Sequence, residues 1–256
     1  MDLLKYNRDA WNHEVEIANK WTQPVDHETI EKCRKGEINL YLTPTKIVPM
    51  EWYDGIKGKT ILCLASGGGQ QTPMLSAAGG IVTVLDNSDA QLDQDRLVAN
   101  REGLMITILQ GDMRDLSRFG DESFDLIFHP VSNLFVDDIN KVWKEAYRVL
   151  RKGGRLLSGF ANPIIFIFDL DKVDTTGELG VKYKIPYSDL EQLPKEVLEK
   201  RMRDQEPMEF GHTLDDQIGG QIRAGFSIQG FFEDGSDGDF LDPYIKTFMA
   251  TLAIKP

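Results

Sequence analysis

The chain is poor in cysteine: it has two in 256 residues, Cys33 in a charged stretch and Cys63 in an apolar one. That scarcity excludes a disulfide framework. No Cys or His falls into metal-ligand spacing either, so a reducing compartment is expected and a metal site is not. Long hydrophobic runs are also missing, since the longest, Pro163 to Phe168, is far shorter than a bilayer requires. Met1 to Tyr6 leads straight into polar sequence without the apolar core of a secretion signal. A cytoplasmic protein without a membrane partner is the expectation. Positive charge is in deficit as well, and a net charge of -12 disfavours a surface that neutralises a phosphate backbone. The densest basic stretches, Lys195 to Arg203 and Arg148 to Lys152, read as a solvated helix face and a helix C-terminus. A small-molecule substrate is therefore favoured over nucleic acid, and nothing in the sequence addresses oligomeric state.

Between about residues 60 and 160, short β-favouring runs alternate with amphipathic helical segments, the pattern of βαβ units. The runs are Thr60 to Ala65, Ile81 to Asp86, Met105 to Gln110, Phe124 to His129 and Arg155 to Phe160. Ser88-Asp89-Ala90-Gln91 reads as a capping box opening a helix that Gly103 closes, and Asp137-Asp138 opens another that ends at Gly153. Beyond Phe160 the rhythm changes. Ile164 to Phe168 and Val181 to Ile185 are expected to form a hairpin, Ser188 to Arg203 a charged helix, and Leu214 to Ala224 a further helix. Phe226 to Glu233 and Ile245 to Ile254 then supply two last strands. The predicted fold is α/β: a doubly wound, mostly parallel seven-stranded sheet with a C-terminal antiparallel pair. Residues 1–56 form an N-terminal helical cap on a domain over 57–256, and an insertion at about 161–211 follows the fifth strand.

The chemistry is concentrated after the strands. Ala65-Ser66-Gly67-Gly68-Gly69-Gln70 links the first strand to a helix. Consecutive glycines let a backbone approach a ligand closely, and the helix N-terminus beyond offers unpaired N–H groups. A plain strand-to-helix turn would show the same glycines. Asp86 ends the next strand about 20 residues on, where an acid meets ribose hydroxyls, with Asn87 beside it and Gln91 one helical turn further. Gly111-Asp112-Met113 follows the third strand; its carboxylate suits an exocyclic amine and its thioether a ring face, although a helix cap at Asp112 is the simpler alternative.

These residues resemble the class I S-adenosylmethionine-dependent methyltransferases over roughly residues 57 to 160. The resemblance implies that Ala65 to Gly69 hold the methionine end of S-adenosylmethionine, that Asp86 holds its ribose and that Asp112 holds its adenine. Two residues depart from the family pattern: Cys63 stands where an acid is usual, and Ala65 where the first glycine is common. A dinucleotide oxidoreductase would want a further glycine at Thr72, and it would have no task for Gly111-Asp112-Met113. A non-catalytic cofactor binder is the other alternative.

At the end of the fourth strand, His129 and Pro130 are placed beside the cofactor. His129 is a candidate base for an acceptor that must lose a proton, or else a histidine bonded to backbone. Relatives that methylate amide or ring nitrogens carry an Asn or Asp, two prolines and an aromatic at this strand end. His129-Pro130-Val131-Ser132 differs, which leaves a small-molecule acceptor by elimination. Trp11, His13, Ser132 and Asn133 are candidate substrate contacts, with His212, Phe166, Phe168 and Tyr187 as further side chains that either line a chamber or pack.

Overall fold

The computed structural model describes the backbone of residues 1–256 and every side chain except those of Leu170, Asp171 and Asp174. Five strands, β1 (Thr60–Leu64), β2 (Ile81–Asp86), β3 (Ile106–Gln110), β4 (Phe124–His129) and β5 (Leu150–Ala161), lie parallel in the order β3-β2-β1-β4-β5. Two short strands, β6 (Tyr187–Ser188) and β7 (Phe210–Gly211), pair apart from this sheet. The last two, β8 (Ser227–Asp234) and β9 (Phe248–Ile254), extend it to seven strands, with β9 antiparallel to both β5 and β8. The doubly wound fold expected from the alternating pattern is the fold observed.

Alternation along β1 explains the two covered faces. Ile61 and Cys63 point toward α4 (Gln71–Ala77) and α5 (Asp89–Glu102), while Leu62 and Leu64 point toward α6 (Ile139–Val149). On the second face Trp143 is fully buried; its indole N–H donates to the Asp216 carbonyl at 2.9 Å. α5 starts where Ser88 Oγ accepts from the Gln91 amide and stops at Gly103, whose φ of +65° suits a residue without Cβ.

The first residues contribute α1 (Leu3–Glu16), α2 (His27–Arg34) and α3 (Met50–Tyr53). They are joined to the sheet by packing and by side-chain clasps. Ile30, Leu40, Leu42 and Trp52 belong to the same apolar cluster as β1 and β2. Asn12 Oδ1 accepts from Ser88 Oγ and the Ala90 amide, so α1 caps α5. Leu42 lies so close to β5 that a Cβ at Gly159 would stand 2.0 Å from its carbonyl oxygen.

Past β5 the structure departs from the expected elements. Asn162 Oδ1 accepts from the Ile164 amide and Pro163 fixes the next φ, so Pro163–Ile167 winds into a 3-10 turn instead of a strand. A single bridge, Phe168 to Val181, is what exists of the expected hairpin among the described residues. Helix α7 (Leu170–Thr176) occupies part of the interval. The charged segment from Ser188 breaks into α8 (Asp189–Gln192) and α9 (Lys195–Arg203) at Pro194, which has no N–H to continue the first helix. The segment from Leu214 is a wide π turn, Asp215–Gly219, followed by α10 (Gly220–Ala224). There Gly220 packs against the Trp143 ring, 2.7 Å from where a Cβ would be. The final strand begins at Phe248, three residues later than its apolar run suggests.

Candidate active site

A cleft of about 680 Å³ opens over the carboxyl ends of the central strands. Ala65, Ser66, Gly67, Gln70, Asp86, Asn87, Gln91, Gly111, Asp112, Met113 and Pro130 all line it, so four separate sequence segments meet at one crevice. The loop after β1 is shaped by its floor. A Cβ on Gly67 would lie 2.8 Å from Gln91 Cβ, and one on Gly69 would lie 2.8 Å from the Gln94 carbonyl oxygen. Gly68 and Gly69 have φ of +111° and +70° and turn away beneath the cleft wall. Ala65 itself has φ of +46°, the backbone region that makes glycine common at this place.

Asp86 joins the first two segments. Its Oδ2 accepts from the Gly67 amide and its Oδ1 from the Ser88 amide, each at 2.9 Å. Burial pushes its carboxyl up, and the amides of Ser88, Gly67 and Asn87 oppose that shift. Each oxygen keeps a lone pair for a donor in the cleft, which suits vicinal hydroxyls. Asn87 Nδ2 donates to the Leu4 carbonyl at 2.8 Å, whereas Asn87 Oδ1 and Gln91 Oε1 are buried without a partner among the described residues. Two orphaned acceptors on a cleft wall fit a ligand carrying N–H or O–H groups.

Asp112 faces the cleft but is held by Arg114, whose Nη2 donates to Oδ2 at 2.8 Å and whose other end reaches Asp137. Met113 Sδ belongs to a side chain almost wholly buried at the same wall. Arg114 lay outside the residues the spacing singles out, although its place two residues beyond Asp112 is a local signal.

His129 is fully buried and is not on the cleft wall. Its Nδ1–H donates to the Leu64 carbonyl at 2.8 Å, and Nε2 meets the Asn133 side-chain oxygen Oδ1 at 2.6 Å. Burial lowers its pKa while the bonds to Leu64 and Asn133 oppose that shift, and both ring nitrogens are occupied. This geometry corrects the reading of His129 as a base open to an acceptor: it ties β4 to β1, and through Asn133 to Gln217 at 2.9 Å. Asn133 is equally buried and does not line the cleft. Neither does His13, which sits on α1 beside Glu16; His212 is buried too, bonded to the Asn133 and Val136 carbonyls.

Trp11 and Ser132 do reach the cleft. Trp11 meets Phe135 edge to face at 5.0 Å, and with Leu134 and Phe248 the two rings supply an apolar part of the cleft lining. Charge enters the lining through Arg201 and Glu209, which the sequence patterns do not single out. Asp189, fully buried, accepts from Tyr187 Oη and from the Glu209 amide, and it pairs with Arg201 at 3.1 Å. Glu209 Oε1 stands 3.3 Å from Arg201 Nη2. Burial pushes the Glu209 carboxyl up to about 7, with Asp189 and Glu206 adding to the shift and Arg201 opposing it.

Comparison with known proteins agrees with this geometry. Residues 62–158 match the family model described as a methyltransferase domain. Over 99% of this chain and 98% of its own length, the uncharacterized methyltransferase YbaJ of Bacillus subtilis (strain 168) is 53% identical. The ubiquinone/menaquinone biosynthesis C-methyltransferase UbiE of Klebsiella pneumoniae subsp. pneumoniae is 34% identical over 43% of this chain and 45% of its own. In structure, an S-adenosylmethionine-dependent methyltransferase from Mesorhizobium loti superposes with a TM-score of 0.59, at 18% identity over 80% of this chain and 94% of that one. With the glycine loop, Asp86 and Asp112 on one crevice, the chain belongs to the class I S-adenosylmethionine-dependent methyltransferases.

Proposed function

We propose that the acceptor of the methyl group is a small molecule bound at the apolar part of the cleft, between Trp11, Phe135 and Phe248, with Glu209 facing its reacting end. The observation that carries this reading is the cleft itself: one crevice is lined both by the polar loop residues Ser66, Gly67 and Asp86, suited to the cofactor, and by the aromatic rings of Trp11 and Phe135 with the Glu209 carboxyl. The printed role of the UbiE relative, in quinone biosynthesis, supports a small acceptor as well. Bound S-adenosylmethionine supplies a methyl group on a sulfonium, which an in-line displacement delivers to the acceptor.

Toward that cofactor, the Ser66 and Gly67 backbone would hold the methionine end, Asp86 the ribose and Gly111 to Met113 the adenine. On the acceptor side, Trp11 and Phe135 exclude water and orient an apolar body. Glu209 takes the proton that an N–H, O–H or C–H acceptor must lose, and Arg201 keeps the carboxyl in place. Acidic groups along the cleft and the negative net charge speak for a small substrate over nucleic acid, acting in the cytoplasm.

Incubating the protein with methyl-labelled S-adenosylmethionine and a metabolite extract, then separating by size, tests this. Label in the low-mass fraction is the expected result. Label confined to protein or nucleic acid would refute the small acceptor, and binding without transfer across such extracts would favour the non-catalytic alternative.

A further inference from the structure

Below the glycine loop lies a carboxyl that the reaction outlined above does not use. Asp95 is fully buried on α5, one turn beyond Gln91, and neither of its oxygens has a hydrogen-bond partner among the described residues. The loop rests on this stretch of α5: the Gly68 amide donates to the Gln91 carbonyl at 3.0 Å, and Gly69 abuts the Gln94 carbonyl. The Gly69 and Gly68 amides lie near the Asp95 carboxyl without closing a hydrogen bond to it, since the Gly68 amide is spent on the Gln91 carbonyl. The titratable groups that face it are Asp86 from β2, Cys63 from β1 and Arg96 from α5 itself. Arg96 is half exposed and engaged with Asp93, so it does little to neutralise the interior charge. Burial, reinforced by Asp86, pushes the Asp95 carboxyl well above the usual carboxylate range, with the Gly69 and Gly68 amides and Arg96 opposing the shift. An unpartnered acid in such a place is costly to keep, which directs attention to the positively charged ligand the loop above it is built to hold.

We propose that Asp95 is a specificity group for the charge state of the cofactor: it loses its proton to solvent when the sulfonium form binds above the glycine loop, and it regains one when the neutral thioether product remains. This rests on the cofactor assignment made above. S-adenosylmethionine carries a sulfonium, an ammonium and a carboxylate, a net positive charge, while S-adenosylhomocysteine has no sulfonium and is neutral overall. A carboxylate beneath the loop attracts the first more than the second. Conversion of cofactor to product therefore removes the attraction that opposed product release.

Calorimetric titration with S-adenosylmethionine and with S-adenosylhomocysteine measures this coupling. Each titration is run in two buffers of unlike ionisation enthalpy at about pH 6.5, where the cofactor's own amino group stays protonated. Wild-type protein should release more protons on binding the sulfonium compound than on binding the thioether. It should also prefer the former by about fivefold or more, the size of a modest coupling between sites. In Asp95→Asn, which keeps the shape of the side chain, both differences should disappear while thioether affinity changes by no more than about threefold. Equal proton release for the two ligands in the wild type would overturn the inference without any variant, as would preserved selectivity in Asp95→Asn. If the wild type binds neither compound, it is the cofactor assignment that fails.

Discussion

Ala65, at φ of +46°, shows how one backbone angle restricts a site. A left-handed conformation costs a non-glycine residue about 1–2 kcal/mol, and a β-branched one more. Replacing Ala65 with Gly should leave stability within about 1 kcal/mol, since relief of strain is offset by the entropy of glycine in the unfolded chain. Ala65→Val should lower stability by about 2 kcal/mol or more and displace the loop, as urea unfolding and cofactor titration would show. Glu209 makes a prediction of a different kind. It must be ionised to take a proton, and burial places that ionisation near 7. Once the acceptor is in hand, the rate should rise with pH through about 7 in the wild type. In Glu209→Gln the rate should be far lower and that rise absent; an unchanged profile would remove Glu209 from the proton path. The same shift has a stability counterpart. A folded carboxyl held above its unfolded value stabilises fully below the unfolded value, and that contribution is lost as pH rises through about 7. Glu209→Gln should therefore gain stability relative to the wild type on going from pH 5 to pH 8, about two orders of magnitude across that ionisation.

Among the elements, the parts visible in the sequence are those whose signal is local. Strand, glycine loop and acid succeed one another within a few residues at Ala65 to Gln70, at Asp86 and at Gly111 to Met113, and the sheet order brings those ends together. Asp95 was also within reach of pattern reading, because it shares a helix face with Leu92 and Val98, where a charge is out of place. Glu209 and Arg201 were not, since they reach the cleft only through contacts between remote segments. The clasp that places them is Asn7 on α1: its Nδ2 donates to the Phe135 and Met208 carbonyls, and its Oδ1 accepts from the Met208 amide. The segment from Asn162 misled the pattern because its apolar residues satisfy a turn begun by Asn-Pro as readily as a strand. Asn7→Ala should cost about 2–3 kcal/mol by leaving those buried backbone groups unpaired. Denaturant unfolding measures that loss, and a change below about 0.5 kcal/mol would show the clasp to be dispensable. Gly159→Ala forces a methyl group onto the Leu42 carbonyl and should cost about 3 kcal/mol by the same measurement.

At the scale of the molecule, the first helices and the segment after β5 close over a parallel sheet whose strand ends form one receptacle. No helix among the described residues is long and apolar enough to cross a membrane. A ligand that binds only the folded state at 100 times its Kd stabilises by about 2.7 kcal/mol, so S-adenosylmethionine should raise the melting temperature where a nicotinamide dinucleotide does not. The most direct test of the receptacle is calorimetric titration with S-adenosylhomocysteine, comparing the wild type with Asp86→Ala. The two carboxylate oxygens that hold Gly67 and Ser88 are the ones facing the cleft, and charge-assisted bonds to hydroxyls are lost with them. Affinity should fall by about 10- to 100-fold in the variant. Undiminished affinity, or tighter binding of a dinucleotide by the wild type, would contradict the account.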